Sequence, residues 1–148
     1  MVSKSLEGGC HCGQVRYSIQ GTPMRSSLCH CRDCQRHAGA PIVAWTLVPL
    51  DIVVIHGDTK VYASSVDGRR YFCPNCGTGL FYRNDKVFLG QIDIQLATLD
   101  FPDDAPSPDT QIQTAERLAW MTRLNDIRAF DRYPGMAPDH EREDGTSD

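Results

Sequence analysis

The cysteines are the residues best suited to chemistry in this sequence, because all seven fall in three tight groups. In an extended segment the side chains at i and i+2 point to the same side, so each C-x-C pair can direct two sulfurs at one point. Each C-x-x-C pair has the spacing of a metal-binding turn. Seven sulfurs are more ligands than one ion uses, so the sequence predicts two metal sites. The groups are Cys10-His11-Cys12, Cys29-His30-Cys31-Arg32-Asp33-Cys34 and Cys73-Pro74-Asn75-Cys76.

The seven sulfurs divide most simply into four and three. A structural zinc is closed by four ligands, whereas a reactive zinc keeps three protein ligands and leaves one position for a substrate. Two distant pairs can staple the start of the chain to its middle, and three sulfurs within six residues can face one ion unaided. We therefore expect two zinc ions per chain. The structural ligands are Cys10, Cys12, Cys73 and Cys76, and the ligands of the open, catalytic site are Cys29, Cys31 and Cys34.

An alternative is that both sites are structural, with His30, His37 or Asp33 as a fourth ligand of the second zinc. His30 lies between two extended ligands and is expected to point away from their metal, which leaves His37 as the better candidate. Asp33 is more typical of a residue that caps the turn through its side chain.

An open zinc held by three thiolates favours chemistry on a thiol. Three thiolates donate much negative charge to the ion, so it acidifies water less than a histidine site does and suits a soft incoming sulfur. A coordinated substrate thiolate could attack an aldehyde or, in reverse, be released from an S-hydroxyalkyl adduct. Arg32 and Arg36, beside the cysteines, and Arg69-Arg70 could bind the carboxylates of a peptide-like thiol, or be solvated surface charges. The sequence does not identify a general base.

Composition indicates one domain and a reducing environment. With 148 residues, 41% of them hydrophobic, the chain is long enough for a single core. No apolar run has the length of a signal peptide or a membrane span, so we expect a cytoplasmic protein with reduced thiols and no membrane partner. The net charge of −4 argues against nucleic-acid binding. We expect a zinc domain over residues 5–135 and a disordered tail over 136–148.

Periodicity predicts an all-β fold with little helix. Short alternating segments separated by Gly, Pro and Asp are typical of half-buried strands, and one pair of segments around Asn84-Asp85 is typical of a hairpin. The apolar spacing after Ala115 is approximately helical, whereas Ile112 could end a last strand. The predicted strands are Val15 to Ile19, Ile42 to Val48, Ile52 to Ile55 and Lys60 to Ser64, and the predicted hairpin arms are Gly79 to Arg83 and Lys86 to Leu89.

The cysteine groups and their neighbours resemble the glutathione-dependent formaldehyde-activating enzyme family, which also includes centromere protein V. Three ordered cysteine groups are far more specific than a lone C-x-x-C. The matching segments are Gly8 to Tyr17, Cys29 to Arg36 with Gly39-Ala40-Pro41, Ser64-Ser65, and Arg70 to Thr78.

The resemblance implies an all-β, Mss4-like fold, also called a β-tent, and the same division of cysteines between a structural and a catalytic zinc. It implies condensation of formaldehyde with glutathione, a carbon–sulfur lyase activity. It further implies that Ile112 lies in a strand and that Ala115 to Phe130 is largely irregular. Gln111-Ile112 replaces a His-Ile pair of many relatives, and Gly90-Gln91-Ile92-Asp93 replaces a Gly-x-Leu-Asp stretch, so the substrate can differ.

Two functions remain as hypotheses from the sequence. The first is a zinc-dependent carbon–sulfur lyase acting on an adduct of a small thiol, such as glutathione, with an aldehyde such as formaldehyde. The second is a non-catalytic zinc module that binds a protein partner, which the odd cysteine makes less attractive. The sequence leaves the oligomeric state open.

Overall fold

Ten β-strands in two sheets make up the computed structural model, which describes residues 5–135. The prediction of an all-β fold is confirmed. A single α-helix and five short 3-10 helices complete the described secondary structure. The strands are β1 (Leu6–Gly9), β2 (Arg16–Ile19), β3 (Arg25–Cys29), β4 (Val43–Pro49), β5 (Val53–His56), β6 (Lys60–Ala63), β7 (Arg69–Phe72), β8 (Gly79–Arg83), β9 (Gln91–Gln95) and β10 (Thr110–Ile112), and the helix is α1 (Arg32–Ala38).

The strands form a seven-stranded sheet in the order β10-β3-β4-β9-β8-β7-β6 and a three-stranded sheet in the order β1-β2-β5. Neighbouring strands are antiparallel except β10, which pairs parallel with β3. Tyr17 of the small sheet meets Phe81 of the large sheet edge to face, with ring centroids 5.3 Å apart. The main core therefore lies where the two sheets pack together. Its fully buried side chains include Val15, Ile19, Val48, Leu80 and Ile94.

Helix α1 lies on the other side of the large sheet. Val43 and Trp45 alternate along β4 with Thr46 and Val48, so they face away from the main core. There they pack with cysteines of the helix and its approach in a second, smaller apolar cluster. The helix ends at Gly39, whose φ of 62° is in the left-handed region and whose N–H bonds to the carbonyl oxygen of Gln35. The second cysteine group thus lies between the large sheet and the helix.

Four predicted strands are confirmed at the observed bounds of β2, β4, β5 and β6, each within two residues. The predicted hairpin is wrong in its second arm. Asn84 accepts hydrogen bonds from the N–H groups of Lys86 and Val87 at its side-chain oxygen, and its carbonyl oxygen accepts from Phe88. This local bonding makes residues 84–90 a turn, and β8 pairs instead with β9, which begins at Gln91.

The chain after β10 contains 3-10 helices. The strand assignment of Ile112 is confirmed. The expectation of a largely irregular segment is wrong in part, because Thr114–Glu116 and Ala119–Asp126 form 3-10 turns, the latter interrupted at Arg123. The described residues divide into two compact units, 5–118 and 119–135, and a single domain over 5–135 stays a prediction. The predicted tail, 136–148, lies outside the described residues.

Within residues 5–135, no helix is long and apolar enough to cross a membrane.

Candidate metal centres

The first cysteine group joins two parts of the chain that are far apart in sequence. Its four sulfur atoms all lie within 4.8 Å of one another. The sulfurs of Cys10 and Cys12 are 3.5 Å apart, and those of Cys12 and Cys73 are 3.7 Å apart. Cys10 and Cys73 are buried, whereas Cys12 and Cys76 are exposed. The group could therefore hold an ion at the edge of the core, and its members are Cys10, Cys12, Cys73 and Cys76.

Tight turns aim these sulfurs. The N–H of Gly13 bonds to the carbonyl oxygen of Cys10 at 3.1 Å, and the N–H of Gly77, with φ of 77°, bonds to that of Cys73 at 2.9 Å. The hydroxyl of Thr78 accepts the N–H of His11 at 3.1 Å and links the two turns. Hydrogen bonds from Thr78 also lower the pKa of Cys76 to about 5, which favours the thiolate that binds metal.

The second cysteine group is built where β3 ends and α1 begins. Cys29 is the last residue of β3, Cys31 is the N-cap of α1, and Cys34 lies in its first turn. All three sulfurs lie within 4.8 Å of one another, and those of Cys34 and Cys29 are 3.6 Å apart. Without a metal, the hydrogen bond to Cys29 raises the pKa of Cys34 and burial adds to the rise, while the charge of Arg70 opposes it. The structure thus brings together the same two groups that the spacing predicts.

No histidine or carboxylate joins this second group within residues 5–135. His30 is buried and its Nε2 lies 2.9 Å from the side-chain oxygen of Gln111. His37 packs edge to face on Phe72, with ring centroids 5.9 Å apart. Asp33 is exposed, and the cap expected of it is wrong, because the sulfur of Cys31 accepts the N–H of Cys34 instead. The alternative of a second site closed by one of these residues therefore finds no support in the geometry.

The environment of Arg70 differs most from what the sequence predicts. The sequence pairs it with Arg69 as a ligand of substrate carboxylates or a solvated surface charge, yet it is only 5% exposed. Both terminal nitrogens of its guanidinium lie 3.7 Å from the sulfur of Cys34, and its Nε donates to the hydroxyl of Ser64 at 3.1 Å. The guanidinium also lies 5.0 Å from the ring centroid of Tyr82. A buried cation beside a cysteine stabilises that cysteine as a thiolate.

The two arginines expected to contact substrate lie in different environments. Arg32 bonds to the side chain of Gln35 within the helix, and its N–H donates to the carboxylate of Glu116 at 2.9 Å. Arg36 instead lines a cleft of about 240 Å³ that Arg70 also lines. Arg36 therefore lies at a cleft, whereas Arg32 is held in local contacts, and a substrate contact for either residue stays a prediction.

Two glutamines brace the loop that carries the second group, and the sequence analysis missed the first of them. The side-chain amide of Gln35, which is 5% exposed, donates to the carbonyl oxygens of His30 and Glu116. Gln111 receives Arg117 at 3.2 Å in addition to its contact with His30. A glutamine in a short helix gives no sequence signal for this role, because one of its two partners, Glu116, lies 81 residues away.

The fold and the two cysteine groups together define a class of protein. Two sheets of Mss4-like, or β-tent, type carry one group of four cysteines and one group of three, each able to hold a metal ion. The family model for the glutathione-dependent formaldehyde-activating enzyme matches residues 5–116. The chain belongs to that family.

Curated relatives and a solved structure are similar to this chain. A protein of Halomonas elongata named putative glutathione-dependent formaldehyde-activating enzyme is 35% identical over 85 residues, which cover 51% of this chain and 54% of the relative. A protein of Schizosaccharomyces pombe named an uncharacterized lyase is 33% identical over 82 residues, covering 54% and 60%. The chain thus spans little more than half the length of these relatives. The crystal structure of a Rhodobacter sphaeroides protein matches with a TM-score of 0.57 and 18% identity over 71% of this chain and 98% of that one, which supports the fold alone.

Proposed function

We propose that this chain is a zinc-dependent carbon–sulfur lyase acting on an adduct of a small thiol and an aldehyde. The observation that carries the proposal is the set of three sulfurs, from Cys29, Cys31 and Cys34, gathered within 4.8 Å while no other histidine, cysteine or carboxylate of residues 5–135 joins them. Three protein ligands are what a reactive zinc keeps, and four are what a structural zinc keeps. Glutathione and formaldehyde are the thiol and aldehyde named in the family description.

The donor sets fit zinc. All seven ligands are sulfur, which suits a soft or borderline ion and disfavours magnesium or calcium. Arg70 adds an independent argument, because a buried guanidinium needs an anion and within the described residues its polar partners are Cys34 and the neutral hydroxyl of Ser64. A thiolate at Cys34 meets that need. We therefore assign one zinc to each cysteine group, two per chain.

The proposed reaction forms one carbon–sulfur bond and moves one proton. The substrate sulfur attacks the carbonyl carbon of the aldehyde, the carbonyl electron pair moves to oxygen, and that oxygen takes up the proton that the thiol has lost. The bound zinc would supply stabilisation of the substrate as a thiolate. Arg70 favours the anionic form of Cys34 that would bind the zinc, and Arg36 offers a positive charge in the adjoining cleft. The reverse sequence releases thiol and aldehyde.

Relatives give the proposal its context. One curated relative carries the family's name and another is named a lyase. Because this chain covers only part of their length, its activity and substrates are proposals that rest on the site.

The variant Cys31→Ser tests the proposal. Cys31 is the one partly exposed member of the second group, so its loss should remove that metal with little damage to the core. We expect bound zinc to fall from two ions per chain to one, turnover of the glutathione–formaldehyde adduct to disappear, and circular dichroism to stay unchanged. A variant that retains full turnover with one zinc per chain would refute the catalytic role of the three-cysteine group, whereas a zinc-loaded parent protein with no turnover would favour the non-catalytic module.

A further inference from the structure

The residue directly after each cysteine of the second group is tied to one distant segment, residues 110–117, which we name the β10 strap. The strap runs from β10 through the 3-10 turn Thr114–Glu116 and ends at Arg117. Its contacts reach the loop that carries the sulfurs at three separate points. The tied residues are His30 after Cys29, Arg32 after Cys31, and Gln35 after Cys34.

The strap holds His30 by both its main chain and its ring. The N–H of His30 donates to the carbonyl oxygen of Ile112 at 3.1 Å, which extends the pairing of β3 with β10 beyond Cys29. Its Nε2 lies 2.9 Å from the side-chain oxygen of Gln111, and the imidazole is buried. The strap therefore fixes the residue that separates Cys29 from Cys31.

Glu116 of the strap holds the start of α1. One of its carboxylate oxygens accepts the N–H of Arg32 at 2.9 Å, and its carbonyl oxygen accepts the side-chain amide of Gln35 at 3.1 Å. The N–H groups in the first turn of a helix have no intrahelical partner, and a nearby side chain usually caps them. Here the cap comes from 84 positions away. Glu116 thus fixes the turn of helix that carries Cys34.

Polar contacts, and not an apolar core, hold the strap in place. Residues 110–116 are all exposed, and Ile112, the one large apolar side chain among them, is 42% exposed. β10 is also an edge strand of the large sheet. Segments with few buried apolar contacts open locally at a lower free energy than the whole domain. The strap can therefore detach while the main core stays folded.

We infer that Gln111 and Glu116 are positioning residues for the metal of the second cysteine group, and that opening of the β10 strap sets the rate at which this metal is exchanged. Cys29 and Cys34 are buried, so release of an ion from them requires movement of the backbone that carries them. Detachment of the strap frees that backbone after every ligand at once. The inference rests on the metal assignment made in the proposed function, and it is independent of the lyase reaction.

Zinc release from the fully loaded protein to an excess of a chromophoric chelator tests the inference. The Cys31→Ser protein, which should keep only the first ion, identifies the kinetic phase of the first group. Glu116→Ala and Gln111→Leu should each speed release of the second ion about tenfold and leave that of the first within about twofold. Glu116→Gln should stay close to the parent protein, because an amide oxygen can also accept the N–H of Arg32.

Thr114→Ala is the matched control. Thr114 is an exposed strap residue, and within residues 5–135 its side chain forms no hydrogen bond, so this variant should release both ions at the parent rates. Equal acceleration of both phases in Glu116→Ala would indicate a general loss of stability. An unchanged second phase would show that the strap does not control the metal. Either result overturns the inference.

Hydrogen exchange of the zinc-loaded proteins gives a second readout and separates the inference from the proposed function. In Glu116→Ala the N–H groups of His30 and Arg32 should exchange faster, whereas that of Cys73, which bonds to the carbonyl oxygen of Thr78, should keep its rate. Faster exchange and zinc release in a protein whose parent turns over no thiol–aldehyde adduct would uphold the inference and refute the lyase. Turnover by the parent, with zinc release unchanged in both strap variants, would refute the inference and leave the lyase standing.

Discussion

Arg70 places both terminal nitrogens of its guanidinium 3.7 Å from the sulfur of Cys34. The two residues are 36 positions apart, on β7 and α1, and both are 5% exposed. Ser64 and Tyr82 hold the guanidinium from its other sides. A buried cation beside a neutral thiol would lack a counter-charge. The contact therefore favours a thiolate at Cys34 and links β7 to the second cysteine group.

Replacement of Arg70 should weaken metal binding at the three-cysteine group. We expect Arg70→Ala to lower zinc affinity at that site about 10- to 100-fold, the usual effect of removing a partner of a metal ligand. Arg70→Lys should recover only part of the loss, because an ammonium cannot place two donors on one sulfur. Competition with a chromophoric chelator measures both values.

Arg69→Ala is the matched control for Arg70. The Arg69 guanidinium bonds to the backbone carbonyl oxygens of Ser65, Val66 and Gly68, and it does not contact a cysteine in the described structure. The zinc affinity of the Arg69→Ala protein should equal that of the parent protein. Equal affinities for Arg70→Ala and Arg69→Ala would show that the contact with Cys34 has no influence on the metal.

Loss of Cys73 should unfold the protein, in contrast to loss of Cys31. Cys73 is fully buried and belongs to the group that connects the first strands to the end of β7. A structural zinc supplies about 10–16 kcal/mol to folding in small peptides, which is comparable to the total stability of about 5–15 kcal/mol of a typical domain. Circular dichroism and thermal unfolding of Cys73→Ser should show a largely unfolded chain. A cooperative transition close to that of Cys31→Ser would contradict the structural role.

Asp93 should make stability depend on pH. Burial raises its pKa from 3.8 to about 6, and Arg25 only partly opposes the rise. A carboxyl whose pKa is higher in the folded state binds more protons there, so the free energy of unfolding falls as the pH rises from about 4 through 6. Above that range the charged carboxylate in the folded protein costs up to about 3 kcal/mol, at 1.36 kcal/mol per pKa unit.

Asp93→Asn removes this titration. Its stability relative to the parent should grow as the pH rises from about 4 through 6, reach about 1–3 kcal/mol, and stay nearly constant above, because the amide does not ionise. Denaturant unfolding of the zinc-loaded proteins at several pH values measures the difference. Asp58→Asn, at an exposed position, is the control and should show no such change. A difference that is independent of pH would exclude the buried carboxyl as its source.

Short-range spacing made the cysteine groups predictable. The C-x-C and C-x-x-C pairs bring sulfurs together through local backbone geometry, and each strand with clear alternation was located within two residues. The prediction of the second hairpin arm was wrong because the side-chain oxygen of Asn84 accepts the N–H groups of Lys86 and Val87. This local bonding competes with strand pairing. Helix α1 was missed for a related reason, since a seven-residue helix that starts on a cysteine sulfur lacks the usual cap and length signals.

Contacts between distant residues were beyond the reach of the sequence. The burial of Arg70 depends on Ser64, Tyr82 and Cys34 converging from three elements, and no local pattern distinguishes it from the neighbouring Arg69. The same holds for Gln35, whose amide reaches Glu116. The sequence gives no reason to distinguish Arg36 from Arg32, since both flank the second cysteine group. In the fold, Arg36 lines a cleft together with Tyr62 of β6, and Arg32 does not.

The parallel pairing of β10 with β3 has a consequence for biosynthesis. All four sulfurs of the first group have been translated once Cys76 is added, whereas Cys29 gains its outer neighbour only when Thr110–Ile112 follows. The three sulfurs of the second group are thus made first, at residue 34, but the sheet edge beside them is completed last, so in a nascent chain the frame of the first group can be finished before that of the second.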